Sequence, residues 1–135
     1  LLIGCFGMGG NNLNELEIYR LARQLSRVAW TIYDNMHWQD KKVMGEQFIR
    51  SVDSIGANIA EGHGRYHYLD KIKFFYNSRG SLYESCRHWL ELLSERNKID
   101  KQSYTQIQEL FSELAPKLNS FIRFQYNNYN HKNTN

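Results

Sequence analysis

Residues 44–64 read MGEQFIRSVDSIGANIAEGHG. Within this stretch Met44, Phe48, Val52, Ile55 and Ile59 recur at steps of three and four. That spacing stacks them on one face of an α-helix. The helix is expected over residues 41–60. It runs into Gly62-His63-Gly64, two glycines able to take the positive φ that commonly closes a helix.

The same periodicity appears on both sides. From Leu13 to about Asn35, Ile18, Leu21, Leu25, Val28 and Ile32 form a stripe, with Asn12 or Asn14 as N-cap and Glu15 and Glu17 where the helix dipole favours acids. Beyond the glycines, Asp70 caps a third segment whose seam is Ile72, Phe75, Arg79, Leu82, Cys86, Trp89 and Leu93, ending near Arg96. Asp100 and Ser103 then offer caps for a fourth helix carrying Tyr104, Ile107, Leu110, Phe111, Leu114, Leu118, Phe121 and Ile122. Pro116, the single proline, is expected to kink this helix without ending it, because the apolar pattern resumes in phase. Short connections favour antiparallel neighbours, so the expected fold is all-α, an antiparallel up-down-up-down four-helix bundle.

One such domain fits the length of 135 residues. The expected organisation is a leader at 1–11, the bundle at 12–127 and a polar, Asn-rich tail at 128–135 that frays. With 41% hydrophobic residues, among them nine Tyr, seven Phe and three Trp, the chain has the apolar surface to build a core. A net charge of +3 is too small to mark a nucleic-acid binder by itself. Cys5 and Cys86 form no close pair of the kind zinc or redox motifs use, and no stretch approaches the roughly 20 apolar residues that cross a bilayer. A cytoplasmic protein without membrane attachment is the resulting expectation. Leu2-Ile3-Gly4-Cys5 is similar to a lipoprotein cleavage box. The charged and long apolar regions of a signal peptide are absent beside it, so a leader followed by a start at Met8 is the simpler reading.

Chemistry-bearing patterns are few. Arg50, Ser54, Asn58 and Glu61 share a second face of the helix over 41–60. One reading is a solvated polar face. The other, which we take as the expectation, is a half-buried network in which Glu61 pairs with Arg79 and Asn58 bonds a neighbouring backbone, with Gly62 and Gly64 at its end. Buried polar groups demand partners, so such a network would specify register or subunit contact. His63 and His67, with His37 or His88, lack the companion ligands of a metal motif, and Cys86 reads as a small buried hydrophobe. Gly62-x-Gly64 follows no strand and reads as a helix stop, not a phosphate cradle. No catalytic, cofactor-binding or metal-ligating residue is therefore assigned.

Basic residues show local order. Arg20, Arg23 and Arg27 recur along the first helix, and Arg65, Lys71 and Lys73 gather at the second turn with Tyr66 and Tyr68 between them. Such a patch can hold phosphates while a ring stacks on a base, although Glu17 and its neighbours could equally pair with the arginines of a solvated face.

The run Asn58-Ile59-Ala60-Glu61-Gly62, followed by Gly64-Arg65, occurs together with Arg79-Gly80-Ser81-Leu82-Tyr83-Glu84. This pattern resembles the four-helix-bundle proteins encoded in intervening sequences of bacterial 23S ribosomal RNA, and the related accessory variability determinant of diversity-generating retroelements. The resemblance covers Leu16 to Tyr126, with Gly56 standing where many relatives have proline. It implies a small non-enzymatic bundle that associates with itself into a five-membered ring. Through the retroelement branch, it also implies binding to nucleic acid and a reverse transcriptase. The competing expectation is a purely structural oligomer or protein-protein adaptor without nucleic-acid affinity. Tyr19, Trp30, Tyr33, Phe74 and Tyr76 would serve subunit contacts in either case.

Overall fold

The computed structural model describes residues 12–134, and the apolar leader lies outside the described residues. After a 3-10 turn at Leu13–Glu15, α1 spans Glu17–Asp34. Helix α2 occupies 38–63, opening as Trp38–Asp40, passing through a π-helical turn at Lys41–Gly45 and continuing as Glu46–His63. Helix α3 occupies 68–95 as Tyr68–Tyr83, a π-helical turn at Glu84–Trp89, and Leu90–Glu95. Helix α4 is Lys101–Thr134.

Neighbouring helices pack in opposite directions. Gly45 lies against Tyr33 and Met36, Ser26 donates to Asp53, and Gly56 approaches Tyr19 and Ala22, so numbers that rise along α2 fall along α1. Gly62 meets Phe75 while Ser78 donates to the Ile55 carbonyl, which relates α2 and α3 in the same sense. For α3 and α4 the ring pairs Tyr76–Tyr126, Phe75–Phe121 and Tyr83–Phe111 do likewise. Helix α1 also packs on α4, which closes the four helices around one core.

That core contains every member of the α2 stripe: Met44, Phe48, Val52, Ile55 and Ile59 are all buried. Leu21, Leu25, Phe75, Leu82, Ile107, Leu114, Leu118 and Ile122 complete it from the other helices. Each fully buried large side chain removes apolar surface worth about 1.5–3 kcal/mol from water, which is the main force holding the helices together.

Four features depart from expectation. The α3 seam does not include Arg79, which is exposed, and Ser78 takes its place, fully buried with its hydroxyl 2.8 Å from the Ile55 carbonyl. At the π-helical turn an extra residue rotates the remainder of the helix, so Leu90 enters the core and Trp89 stays half-buried, its indole N–H donating to Glu84. The cap of α3 is His67 in an extended conformation, with Asp70 inside the first turn. Finally, the polar stretch after Asn127 continues as helix to Thr134. It does so because α3 runs beside it: Tyr126 meets Tyr76 at 6.3 Å and Lys132 lies 5.8 Å from the Tyr68 ring. Pro116 leaves the Ser112 carbonyl without its helical donor, but both residues are exposed and α4 continues through them. Asp100 does cap α4, accepting from the Ser103 N–H and hydroxyl, and these bonds hold its carboxyl below the usual range.

Candidate functional site

The turn from α2 to α3 gathers most of the candidate residues. Helix α2 does not close through a left-handed glycine. Gly64 caps it at φ −79°, and among the described residues no glycine has positive φ. Instead the Lys71 ammonium reaches back from α3 and donates to the carbonyls of His63 (3.0 Å) and Gly62 (3.5 Å). A cation at a helix C-terminus donates to the last carbonyls, of which that of Gly62 also accepts from the Arg65 N–H at 3.2 Å, and opposes the negative end of the dipole. Burial pushes the Lys71 amine below its usual value, so it is a tethered cap and not a free surface charge.

Gly62 has a different task. A Cβ built there would stand 2.7 Å from Cε1 of Phe75 and 3.1 Å from the Lys71 carbonyl oxygen. The glycine lets α3 cross close to α2, which in turn places Lys71 within reach of the helix end.

The polar face of α2 is satisfied within its own helix. The Ser54 hydroxyl donates to the Arg50 carbonyl, and the Asn58 amide to the Ser54 carbonyl. Asn58 thus bonds a backbone as expected, but Glu61 does not meet Arg79. Glu61 pairs with Arg65 at 2.8 Å in an exposed bridge one helical turn on, while Arg79 sits 5.9 Å from the Tyr83 ring. The reason is the phase of α3: Arg79 lies at the edge of the packed face, beside α4 and away from α2. Arg50 is exposed.

Around the turn, cations and rings are interleaved. Arg65 lies 4.7 Å and Lys73 5.6 Å from the Phe74 ring, and Tyr66, edge-on to His67, is 83% exposed. Lys132 joins from α4, whose residues beyond Glu113 include no acid. Lys132 could not have been anticipated at this site while the end of α4 was expected to fray. On α1, Arg20 donates to the carbonyls of Glu15 (2.7 Å) and Asn14 (3.3 Å), and Arg23 to the Tyr19 hydroxyl; Arg27 is exposed. The α1 arginines are therefore mostly engaged in holding their own segment, and Arg65, Tyr66, Lys73 and Lys132 form the accessible group.

Among the described residues no three His, Cys, Asp or Glu side chains gather in a way that could hold a metal ion. Nor is any described helix long and apolar enough to cross a membrane. Cys86 is fully buried beside Ser85, and burial pushes its thiol up to about 11. It should resist alkylation at pH 8 in the native protein and react only as fast as the bundle opens, because the thiolate is the nucleophile. Peptide mass mapping, which separates Cys86 from Cys5, checks this. Labelling within seconds under native conditions would contradict the buried placement.

The family model described as 23S rRNA-intervening sequence protein matches residues 14–120. A crystal structure from Bacteroides thetaiotaomicron, of a protein with unknown function from the S23 ribosomal protein family, superposes with a TM-score of 0.71. The identity is 28%, over 78% of this chain and 95% of that one. No curated protein matches the chain significantly.

Proposed function

The chain belongs to the 23S rRNA-intervening sequence protein family, and from this premise we propose that it is a non-enzymatic, self-associating helical scaffold that binds structured nucleic acid through the α2 to α3 turn. The observation that carries the reading is Tyr66. It has the highest exposure of the large hydrophobic side chains in the described residues, 83%, and it follows Arg65 in the turn, where Arg65 and Lys73 lie on the Phe74 ring and Lys132 on the Tyr68 ring. A solvent-facing ring gains nothing for the fold. Beside cations it suits a base stacked on the ring and phosphates held around it. The Glu61–Arg65 bridge is no obstacle, since an exposed pair of this kind contributes about 0–1 kcal/mol and can be exchanged for a phosphate.

Self-association, which the resemblance implies as a five-membered ring, would multiply the effect by presenting several such turns to one nucleic acid. Cytoplasmic residence fits that role.

Salt titration tests the reading. The intact protein should bind an RNA hairpin or a DNA duplex with an affinity that falls steeply with salt, a log-log slope of about −2 to −3 for three phosphates neutralised per turn. Tyr66→Ala should weaken binding on the order of tenfold where an unpaired base is available. An affinity independent of salt, or no binding at 50 mM salt, would overturn the nucleic-acid reading and leave the structural oligomer or adaptor in its place.

A further inference from the structure

Gln125 stands where the buried stripe of α4 would continue, one turn beyond Phe121 and Ile122, and it is 8% exposed. The other buried polar side chains of the described residues, Ser51, Ser78 and Ser85, each donate to a backbone carbonyl. The Gln125 amide has no hydrogen-bond partner among the described residues, a costly state for a group taken out of water. Yet no side-chain polar atom among them is both sealed and unpartnered, so the amide opens onto the cavity that Gln125 lines.

That cavity, of about 500 Å³, lies between α4 and the start of α3 and has the size of a small-ligand pocket. Phe121, Phe124, Gln125 and Asn128 share one face of α4 by their spacing, so two amides sit beside two aromatic rings in its wall. Tyr68 and Lys71 line it from α3. Two carbonyls accept from the Lys71 ammonium, which leaves one of its three N–H groups for a ligand. Lys132 lies 5.8 Å from the Tyr68 ring. Glu15, Glu17 and Asp70, the acids next in sequence to lining residues, are exposed and not part of the wall.

We propose that this cavity holds one unpaired nucleobase, with its edge on the Gln125 and Asn128 amides and its phosphate toward Lys71. A primary amide sets a donor and an acceptor side by side, the pattern that meets an adenine edge. Aromatic side chains hold the faces of unstacked bases. An apolar occupant would leave Gln125 without a partner, and a cationic one would face Lys71. Tyr66 is not part of the wall, so the cavity is a second place for a base at the same turn. This occupant rests on the nucleic-acid reading and names the part of the nucleic acid that enters the protein.

The test uses the full-length protein, with adenosine 5′-monophosphate as the free probe and an RNA hairpin bearing one unpaired adenosine as the strand. The mononucleotide should bind saturably and shift the Gln125 side-chain amide signals in NMR spectra, and ribose 5-phosphate should not displace it. The hairpin should bind on the order of tenfold tighter than the same hairpin with that base removed. Gln125→Leu, whose side chain suits a buried position, should keep the helical circular dichroism spectrum and weaken the mononucleotide on the order of tenfold. It should also abolish the difference between the hairpins without changing their salt dependence. Unchanged binding in Gln125→Leu would overturn the cavity as the base site. If both hairpins bind equally and steeply with salt, an unpaired base of the strand is overturned as occupant and the nucleic-acid reading stands. If the mononucleotide binds at Gln125 and neither hairpin binds, the base site stands for a free nucleotide and the nucleic-acid reading falls. If nothing binds, both fall.

Discussion

Replacing Phe75 by alanine should lower stability by about 3–5 kcal/mol, the usual cost of emptying a buried phenylalanine site. The ring is 1% exposed, stacks edge-on against Phe121 of α4 at 5.0 Å, and covers Gly62 of α2. It is therefore the side chain through which three helices meet at the end of the bundle that holds the candidate site. Bundle neighbours cannot easily collapse into the space. Gly62 has no side chain to fill it, and Phe121 loses its ring partner. The loss is a large part of the 5–15 kcal/mol that a domain of this kind has in total, and corresponds to a fall in melting temperature on the order of 10–20 °C. Thermal unfolding followed by circular dichroism measures it. Phe74→Ala is the internal comparison, since that ring is half-buried and mainly holds Arg65 and Lys73, a contribution of about 0.5–1 kcal/mol for each cation at an exposed site. Equal losses from the two adjacent substitutions would mean that the ring of Phe75 does not hold the helices as described.

The distinction between Phe74 and Phe75 was readable from spacing alone, because only Phe75 is in register with Ile72 and Leu82. Spacing also placed the whole apolar stripe of α2 correctly. It was less informative where small residues fill the core. Ala22 and Ala29 are fully buried on α1 while Val28 and Ile32 are half-buried, since close helix approach selects for size as well as hydrophobicity. Arg79 was placed on the α3 seam by a regular heptad. The helix instead presents Ser78, whose hydroxyl can be buried because a carbonyl of α2 accepts from it. The π-helical turn at Glu84–Trp89 shifts the phase of the residues after it, and no residue type announces it. The candidate site was half visible for a similar reason. Arg65, Tyr66 and Lys73 are local in sequence, whereas Lys132 reaches the site only because α4 continues past the polar residues that suggested fraying. The Glu61–Arg79 pair failed because charge complementarity between two helices says nothing about their rotation.

The two glycines of the α2 to α3 turn should respond differently to alanine, and Gly62 should show the larger loss. If both served as helix stops with positive φ, both substitutions would be strained. Gly64, however, is at φ −79° with its nearest neighbours 3.6 and 3.7 Å from an added Cβ, so Gly64→Ala should change stability by less than about 0.5 kcal/mol. At Gly62 the added methyl would meet Phe75 at 2.7 Å and, 3.1 Å away, the Lys71 carbonyl, which is backbone and yields only if α3 moves. Overpacking of this sort costs about 1–3 kcal/mol, and the better helix propensity of alanine returns at most about 1. A net loss of about 1–2 kcal/mol is expected for Gly62→Ala. Gly62→Leu should exceed it, because the larger side chain must displace Phe75 itself. The displacement has a second consequence. Moving α3 outward draws the Lys71 ammonium away from the Gly62 and His63 carbonyls, so the last turn of α2 loses its cap. Hydrogen exchange at the amides of Ala60 to Gly64 should then accelerate more than global destabilisation explains, while the amides around Ile107 and Leu114 follow the global change alone. Equal acceleration at both places would separate the close approach of the helices from the capping of α2, and Lys71 would then hold those carbonyls independently of Gly62.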